Sequence, residues 1–248
     1  MLQMKKVPVD TIVQQYEQLI TNMKECCTQP MQDKLAIIFE DNKEQIMSAP
    51  ASGRLNFHNC FIGGFLDHVL RVHQTAKFIA KGFSALKVEE TQTQEDIFVA
   101  ATFHDWGKLG KSVTEPYYVK QTSSWHQEKL GEYYKHNEKL DYMSVTDRSL
   151  YVLQKYQVPI SSAVWKAIKL SDGIFEDGNA SYYKRPSESQ DILYYIIHFA
   201  DWMSTVAEKQ HFLQQQNQPA KKEVDPLHTE KHLKDMKQKF NDLFKEYE

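Results

Sequence analysis

Apolar residues recur every three or four positions along almost the whole chain, which is the spacing of one face of an α-helix. Strand signals are weak and are confined to the short segment 116–122. The predicted helices cover residues 9–23, 35–46, 65–83, 96–106, 125–137, 147–157, 161–170, 188–209 and 233–243. A chain in which helical stripes follow one another must bury them against each other, so the pattern predicts an all-α fold.

Glycine, proline and polar residues divide these helices into a central domain with helical extensions. Gly107 is predicted to end the fourth helix, because glycine commonly ends helices. Long loops are predicted at 108–124 and 171–190, and loops of this length in a compact domain are usually functional or disordered. The predicted organisation is an N-terminal helical extension packed on the core (1–48), a central domain (49–210), and a linker with a C-terminal amphipathic helix (211–248).

Composition restricts the classes of protein to consider. Of 248 residues, 41% are hydrophobic and 25% are charged, as in an ordinary globular protein. The formal net charge of −3 means that the whole molecule does not attract nucleic acid, so a phosphate must be met by local cations. Cys26, Cys27 and Cys60 lack C-x-x-C spacing, which favours reduced thiols over a disulfide framework. With neither a signal peptide nor a membrane span in the sequence, we expect a soluble cytoplasmic protein.

The octapeptide FHDWGKLG (103–110) places two titratable side chains, His104 and Asp105, at the end of an apolar helix. Burying them costs free energy unless something binds them, and the candidates are an ion pair, a helix-end hydrogen bond, a proton relay or a metal ion. His68 lies on or beside the apolar face of its helix, and Asp201 lies in a helix that is apolar on nearly all sides. Each residue alone also fits a hydrogen-bonded core role, but three such sites on three helices favour a shared cation.

Two imidazoles and two carboxylates would form a mixed nitrogen–oxygen ligand set. Without cysteine, such a set favours Mn²⁺, Fe²⁺, Co²⁺, Ni²⁺ or Mg²⁺ in an octahedral site over structural zinc. An ion of this kind lowers the pKa of bound water and polarises a phosphoryl oxygen. The expected chemistry is therefore hydrolysis of a phosphate ester or anhydride.

Between about residues 49 and 206 the chain resembles the HD-domain metal-dependent phosphohydrolases. The matching segments, in the family's order, are GGFLDHVLRV (63–72), ATFHDWGKLG (101–110) and HFADWMS (198–204). The resemblance implies an HD-domain helical bundle over 49–210 whose metal ligands are His68, His104, Asp105 and Asp201. It also implies hydrolysis of a phosphoester or phosphoanhydride of a nucleotide by metal-activated water, with Asp105 and Lys108 as catalytic residues.

The lead-in APASGRLNFHNCFIGGFLDH (49–68) is most similar to the HD-domain 3′–5′ exoribonucleases and their relatives. In that branch an extra histidine begins the helix after the HD motif, which implies His126 as a further metal ligand. Relatives carry a second histidine where this chain has Asn59, and further histidines near its Ser171-Asp172. One ion is expected, and these departures leave a second ion open.

Several cationic or imidazole side chains are candidates for binding substrate. The resemblance implies that Lys108 faces the metal and meets a phosphate; an exposed lysine at a helix C-terminus is the alternative. The other candidates are His58, Arg54 and Arg71 around the first motif, and Lys184 and Arg185 in the segment YYKR (182–185). In that segment, aromatic rings combine with cations, a chemistry suited to a nucleobase and its phosphate.

The sequence leaves three functions open. The leading hypothesis is a nucleotide phosphohydrolase, and the first alternative is a 3′–5′ exonuclease or phosphodiesterase on oligonucleotides. The second alternative is a catalytically degenerate HD-fold binding module. The helical extensions at both ends are candidate surfaces for homo-oligomerisation, and no membrane partner is expected.

Overall fold

The structure is a computed structural model that describes residues 4–88, 92–184 and 191–216. Helices dominate the described residues, which confirms the predicted all-α fold. The helices are α1 (Val9–Cys26), α2 (Gln29–Asp41), α3 (Lys43–Ser48), α4 (Gly64–Ala85), α5 (Gln94–Phe103), α6 (Ser124–Leu130), α7 (Val145–Lys155), α8 (Ser162–Lys169), α9 (Ala180–Lys184) and α10 (Leu193–Gln216). None of the described helices combines the length and the apolar character that crossing a membrane requires.

A two-stranded antiparallel sheet is the only strand pairing within the described ranges. It joins β1 (Tyr118–Lys120) to β2 (Tyr134–His136), with Val119 opposite Lys135. The first strand lies inside the segment for which the sequence predicts extended structure. Two strands of three residues each, with no buried residue, are too small to form a core of their own. The pair therefore serves as a connection between helices.

Helices α4, α5, α8 and α10 form the centre of the fold. Helix α10 packs against α4 and α8, while α5 packs against both of these helices. Thr93 and Asp96 form a reciprocal capping box that begins α5, so the start of this helix is set by local sequence. The end of α5 is fixed by packing, because Phe103 stacks on Trp106 at 4.5 Å between ring centroids and Phe39 of α2 stacks on both rings.

Several predicted helix boundaries differ from the structure. The second predicted helix is divided at Asn42, whose side chain donates to the Ile38 carbonyl and competes with the helical backbone. The helix predicted over 125–137 ends at Leu130, because Gly131 adopts a left-handed conformation (φ 62°) and the chain turns into β2. Helix α10 continues past the predicted end at 209 to Gln216.

Gly107 does not end the fourth helix, contrary to the prediction. Helix α5 ends at Phe103, and Gly107 lies inside a 3₁₀ turn over Trp106–Leu109. A Cβ atom on Gly107 would lie 2.1 Å from the Val145 carbonyl oxygen, and the Gly107 amide donates to Ser149 Oγ at 2.8 Å. The glycine is therefore required because α7 approaches the backbone of the turn closely.

Replacing Gly107 with alanine should destabilise the fold by about 1–3 kcal/mol, because the added methyl group forces α7 away from the turn. The free energy of unfolding in urea measures this change. Gly82→Ala is the matched control, since a Cβ there meets nothing within 4 Å in the exposed part of α4. That substitution should stabilise the protein by about 0.5–1 kcal/mol. Equal unfolding free energies for the two variants would contradict the packing explanation.

The described part of the predicted 171–190 loop is not irregular. It forms 3₁₀ turns over 173–175 and 177–179, followed by α9. Residues 185–190, which include the candidate Arg185, lie outside the described residues, as does the amphipathic helix predicted over 233–243. The predicted N-terminal extension contributes Ile12, Leu35 and Phe39 to the same buried cluster as α4, α5 and α10.

Candidate metal centre

The structure brings together the four side chains that the resemblance implies as metal ligands. His68 Nε2 lies 3.3 Å from His104 Nε2 and 3.1 Å from Asp201 Oδ1. Asp105 Oδ2 lies 3.6 Å from both imidazole Nε2 atoms, and Asp201 Oδ1 lies 3.9 Å from His104 Nε2. His68, His104 and Asp105 are buried, whereas the Asp201 side chain is 22% exposed and opens the cluster to solvent.

These separations fit a single divalent cation. Nitrogen and oxygen ligands lie about 2.0–2.2 Å from such an ion, so atoms bound to it lie about 3–4 Å from one another. The five separations above fall between 3.1 and 3.9 Å. A cation can therefore lie among His68, His104 and Asp105, which form one cluster of mutually close ligand atoms, and Asp201 adjoins that cluster through its contacts with the two histidines.

Hydrogen bonds on the far side of each imidazole orient its remaining nitrogen. His104 Nδ1 lies 2.8 Å from the Ala101 carbonyl oxygen, which can only accept, so Nδ1 donates there. His68 Nδ1 lies 3.1 Å from Glu208 Oε2. When His68 is neutral, Nδ1 donates to this carboxylate and leaves the Nε2 lone pair at the cluster. Metal-binding histidines almost always have such a partner.

Glu208 is the residue of this centre that sequence analysis missed. It lies on α10 seven residues after Asp201, which places both carboxylates on the same helix face two turns apart. Glu208 is 4% exposed and accepts from Arg71 Nε at 3.2 Å as well as from His68. The spacing of Asp201 and Glu208 is the signal that could have identified it, although an isolated glutamate near the end of a helix normally faces water.

The electrostatics of the cluster favour positive charge where the ligand atoms meet. Burial raises the pKa of Asp105, but Lys108 and the two histidines outweigh burial and hold that pKa below its usual value. Burial is likewise outweighed at Asp201, whose pKa is lowered by His68 and His104. Burial lowers the pKa of His68, yet Glu208 and Asp201 raise it to about 10. The raised pKa means that His68 holds a second proton when no metal is bound, and this proton on Nε2 occupies the position that a bound cation would take.

Lys108 adjoins the cluster through an ion pair with Asp105 Oδ2. Its side chain is 17% exposed, so the alternative of a solvated lysine at a helix end does not describe it. Burial lowers the pKa of Lys108, but Asp105 outweighs this effect and raises the pKa above its usual value. Lys108 therefore presents a permanent positive charge beside the ligand atoms.

Comparisons with known proteins leave the family of this chain open. Searches against protein-family models, curated proteins and solved structures give no match. The relationship to HD-domain enzymes therefore stays a prediction from three short motifs. The ligand geometry is independent of that prediction, because it follows from the distances between His68, His104, Asp105 and Asp201.

Two of the predicted substrate-binding residues lie behind His68 and contact the groups that support it. The His58 ring meets the His68 ring edge-on at 4.7 Å, and burial lowers the His58 pKa to about 3, so this imidazole is neutral. Arg71 donates to Glu208 and to Asp67 Oδ2. These contacts give both residues a role in holding the metal ligands.

The other predicted site residues lie apart from the ligand atoms. His126 lies on α6, where its Nδ1 is 2.9 Å from Ser123 Oγ, and within the described residues it has no ion pair or hydrogen bond with any of the four candidate ligands. Arg54 forms an ion pair with Glu132 at 3.2 Å. Lys184 is exposed at the end of α9. The structure therefore does not bring His126 to the implied tetrad.

A cleft of about 360 Å³ lies beside the cluster and shares Asp201 with it. Its other walls include Asp172, Glu176, His198 and Trp202. Trp202 follows Asp201 directly on α10 and is 58% exposed, which is unusual for so large an apolar side chain. The cleft therefore offers an aromatic face and two carboxylates to a molecule bound at the metal ligands.

Proposed function

We propose that this protein is a divalent-metal-dependent phosphohydrolase that cleaves a phosphoester or phosphoanhydride bond of a small nucleotide. One observation carries the proposal: His68 on α4, His104 and Asp105 just after α5, and Asp201 on α10 place their ligand atoms together, and five of the six separations between these atoms are 3.1–3.9 Å. The far nitrogen of each imidazole is already hydrogen-bonded. Asp105 and Asp201 repel each other, and a cation bound by both carboxylates would offset that repulsion, so this arrangement favours an ion. The free thiols of the three cysteines support a reducing, cytoplasmic compartment.

Different side chains would bind the metal ion and stabilise the charge of the phosphoryl group in such a reaction. His68, His104, Asp105 and Asp201 would hold a divalent ion, which supplies Lewis-acid chemistry: it polarises a phosphoryl oxygen and lowers the pKa of water. Lys108 offsets negative charge that develops on the phosphoryl oxygens, since its ammonium group lies beside Asp105. Asp105 holds that ammonium group in place.

The cleft beside Asp201 supports a small nucleotide over an oligonucleotide. The exposed ring of Trp202 gives a nucleobase a stacking surface, and stacking of this kind contributes about 1–3 kcal/mol per base. Asp172 and Glu176 can accept hydrogen bonds from ribose hydroxyls. The same carboxylates repel further phosphates, whereas proteins that track an oligonucleotide backbone use basic grooves.

Removing and restoring metal tests the proposal. Protein stripped with a chelator should lose hydrolysis of mononucleotides and regain it when Mn²⁺, Fe²⁺, Co²⁺, Ni²⁺ or Mg²⁺ is added, because the ligand set suits these ions. Chromatographic separation of the nucleoside, nucleotide and phosphate products from a panel of mononucleotides, cyclic nucleotides and short oligonucleotides measures activity, and elemental analysis measures bound metal. Preferred turnover of mononucleotides supports the small-substrate assignment, and preferred turnover of oligonucleotides contradicts it.

A negative result on this panel also distinguishes between the phosphohydrolase proposal and its alternatives. If the purified protein holds no stoichiometric metal and no ion restores activity, the phosphohydrolase proposal is wrong. In that case the binding-module alternative is favoured. If metal binds in stoichiometric amount but no phosphate ester on the panel is cleaved, the metal centre stands and the nucleotide assignment fails.

A further inference from the structure

A second and larger cleft, of about 700 Å³, lies between the α2–α3 junction, the 110–114 loop and α7. None of the four metal ligands lines it. The loop on one wall follows the 3₁₀ turn that contains Lys108, and α7 on the other wall is the helix that contacts Gly107. The cleft is therefore a separate site on the same framework.

The wall formed by α7 contains Arg148, a buried guanidinium group with few partners. Arg148 is 3% exposed, yet within the part of the chain that the structure describes its guanidinium group makes one hydrogen bond, to the Asp141 main-chain oxygen at 2.8 Å. The Asp141 carboxylate lies 3.9 Å away, beyond hydrogen-bond distance, and Arg148 Nε has no partner among the described residues. A guanidinium group has five N–H donors, and a buried charge without partners is costly, so this geometry favours a bound anion.

Further groups around Arg148 suit an anion with several oxygens. Lys111 and Lys155 line the same cleft, as do the hydroxyls of Ser112 and Thr114. Lys111 pairs with Asp141 at an exposed position, and a solvated pair of this kind gives way easily to a competing anion. Asp41, the other lining carboxylate, accepts from the Tyr156 hydroxyl at 2.8 Å.

We propose that this cleft binds the phosphate group of a small molecule, with Arg148 as its buried anchor. Arginine matches the oxygens of phosphate with paired N–H donors. Lys155 adds a cation from the same helix as Arg148, and Lys111 and the Ser112–Thr114 hydroxyl pair add donors from the loop on the opposite wall. Tyr151, more than half exposed on the same wall, can contact an attached ring. The shared chemistry is a phosphate dianion, supplied either by inorganic phosphate or by a nucleoside monophosphate. This site requires no metal and does not depend on the proposed hydrolase activity.

The test is a titration of the full-length, chelator-treated protein with inorganic phosphate and, separately, with AMP, followed by calorimetry. Both ligands are expected to bind saturably, and Arg148→Gln should weaken binding about tenfold or more, because it removes a buried charged donor. Lys129→Gln is the matched control, because Lys129 is exposed on α6 and does not line the cleft. This variant should bind phosphate and AMP with the same affinity as the unsubstituted protein. Tighter binding of AMP than of phosphate identifies a nucleotide as the ligand, and equal affinities identify the free anion.

Two further variants keep the test decisive if Arg148→Gln fails to fold. Lys111→Gln and Lys155→Gln change exposed side chains, and each should weaken binding about two- to fivefold. Absence of saturable binding to the unsubstituted protein overturns the proposal. Binding that none of the three cleft substitutions weakens also overturns it, because the anion then occupies another place such as the surroundings of Lys108.

Discussion

Asp201→Ala is expected to abolish both stoichiometric metal binding and hydrolysis of every phosphate ester that the protein cleaves. Asp201 is the only one of the four ligands contributed by α10, and its Oδ1 lies within 4 Å of both imidazole nitrogens. Even residues that only support a metal ligand change affinity by about 10–100-fold, so loss of a ligand should exceed 100-fold. Titration of the stripped protein with Mn²⁺ measures the affinity, and chromatography of the hydrolysis products measures the activity.

Asp33→Ala provides the control for that experiment. Asp33 is an exposed aspartate on α2 that accepts a hydrogen bond from Gln29, so its removal deletes a carboxylate without touching the cluster. Metal content and turnover should match those of the unsubstituted protein. If Asp201→Ala folds and retains the Mn²⁺ affinity of this control, the ion does not bind where the four side chains converge.

Glu208→Ala is expected to have the largest effect on stability. The substitution leaves Arg71 and His68 without the carboxylate that accepts from both, in a region where Glu208 itself is almost fully buried. Breaking a buried ion pair by removing one partner costs about 3–5 kcal/mol. Urea unfolding measures the loss.

Glu208→Gln keeps the shape of the side chain but removes its charge. The Mn²⁺ affinity of this variant should fall about 10–100-fold, because His68 Nδ1 no longer has a carboxylate as its hydrogen-bond partner.

Glu40→Ala is the matched comparison for the loss of a carboxylate from an ion pair. Glu40 pairs with Lys43 at 3.7 Å on the surface, where its side chain is largely solvated. Because the Glu40 carboxylate is solvated, its removal should cost less than about 1 kcal/mol, although the Lys43 side chain is only 14% exposed. A Glu208→Ala protein no less stable than Glu40→Ala, with unchanged metal affinity, would show that Glu208 does not support His68.

The longer helices, such as α1, α2 and α4, could be predicted from the sequence because each buries apolar residues at helical spacing, and this spacing is the signal that the sequence carries. Their ends depend on single polar or glycine residues. Asn42 interrupts a stripe because its side chain competes for a helical carbonyl, and Gly131 stops α6 through its left-handed backbone. The error at Gly107 has a different cause: the glycine serves a close approach by α7, a tertiary contact that local sequence does not encode.

The candidate ligands could be predicted because a polar side chain that interrupts the helical spacing of apolar residues can be recognised in the sequence. His68, His104 and Asp201 are residues of this kind. Glu208 and Arg148 could not be predicted in the same way, because each lies in a helix segment rich in polar residues, where a charge normally faces water. Their burial follows from the packing of α10 on α4 and of α7 on the 3₁₀ turn.

The stack of Phe39, Phe103 and Trp106 has a practical consequence for anyone who wishes to shorten this protein. Phe39 comes from α2, and the two rings it covers flank His104 and Asp105 in the chain. A truncated version that starts at residue 49 would uncover these rings and replace a dry aromatic contact with water next to the ligands. Such a fragment should express poorly and bind metal at the candidate ligands more weakly than the full chain, so a shortened version has to retain the first three helices.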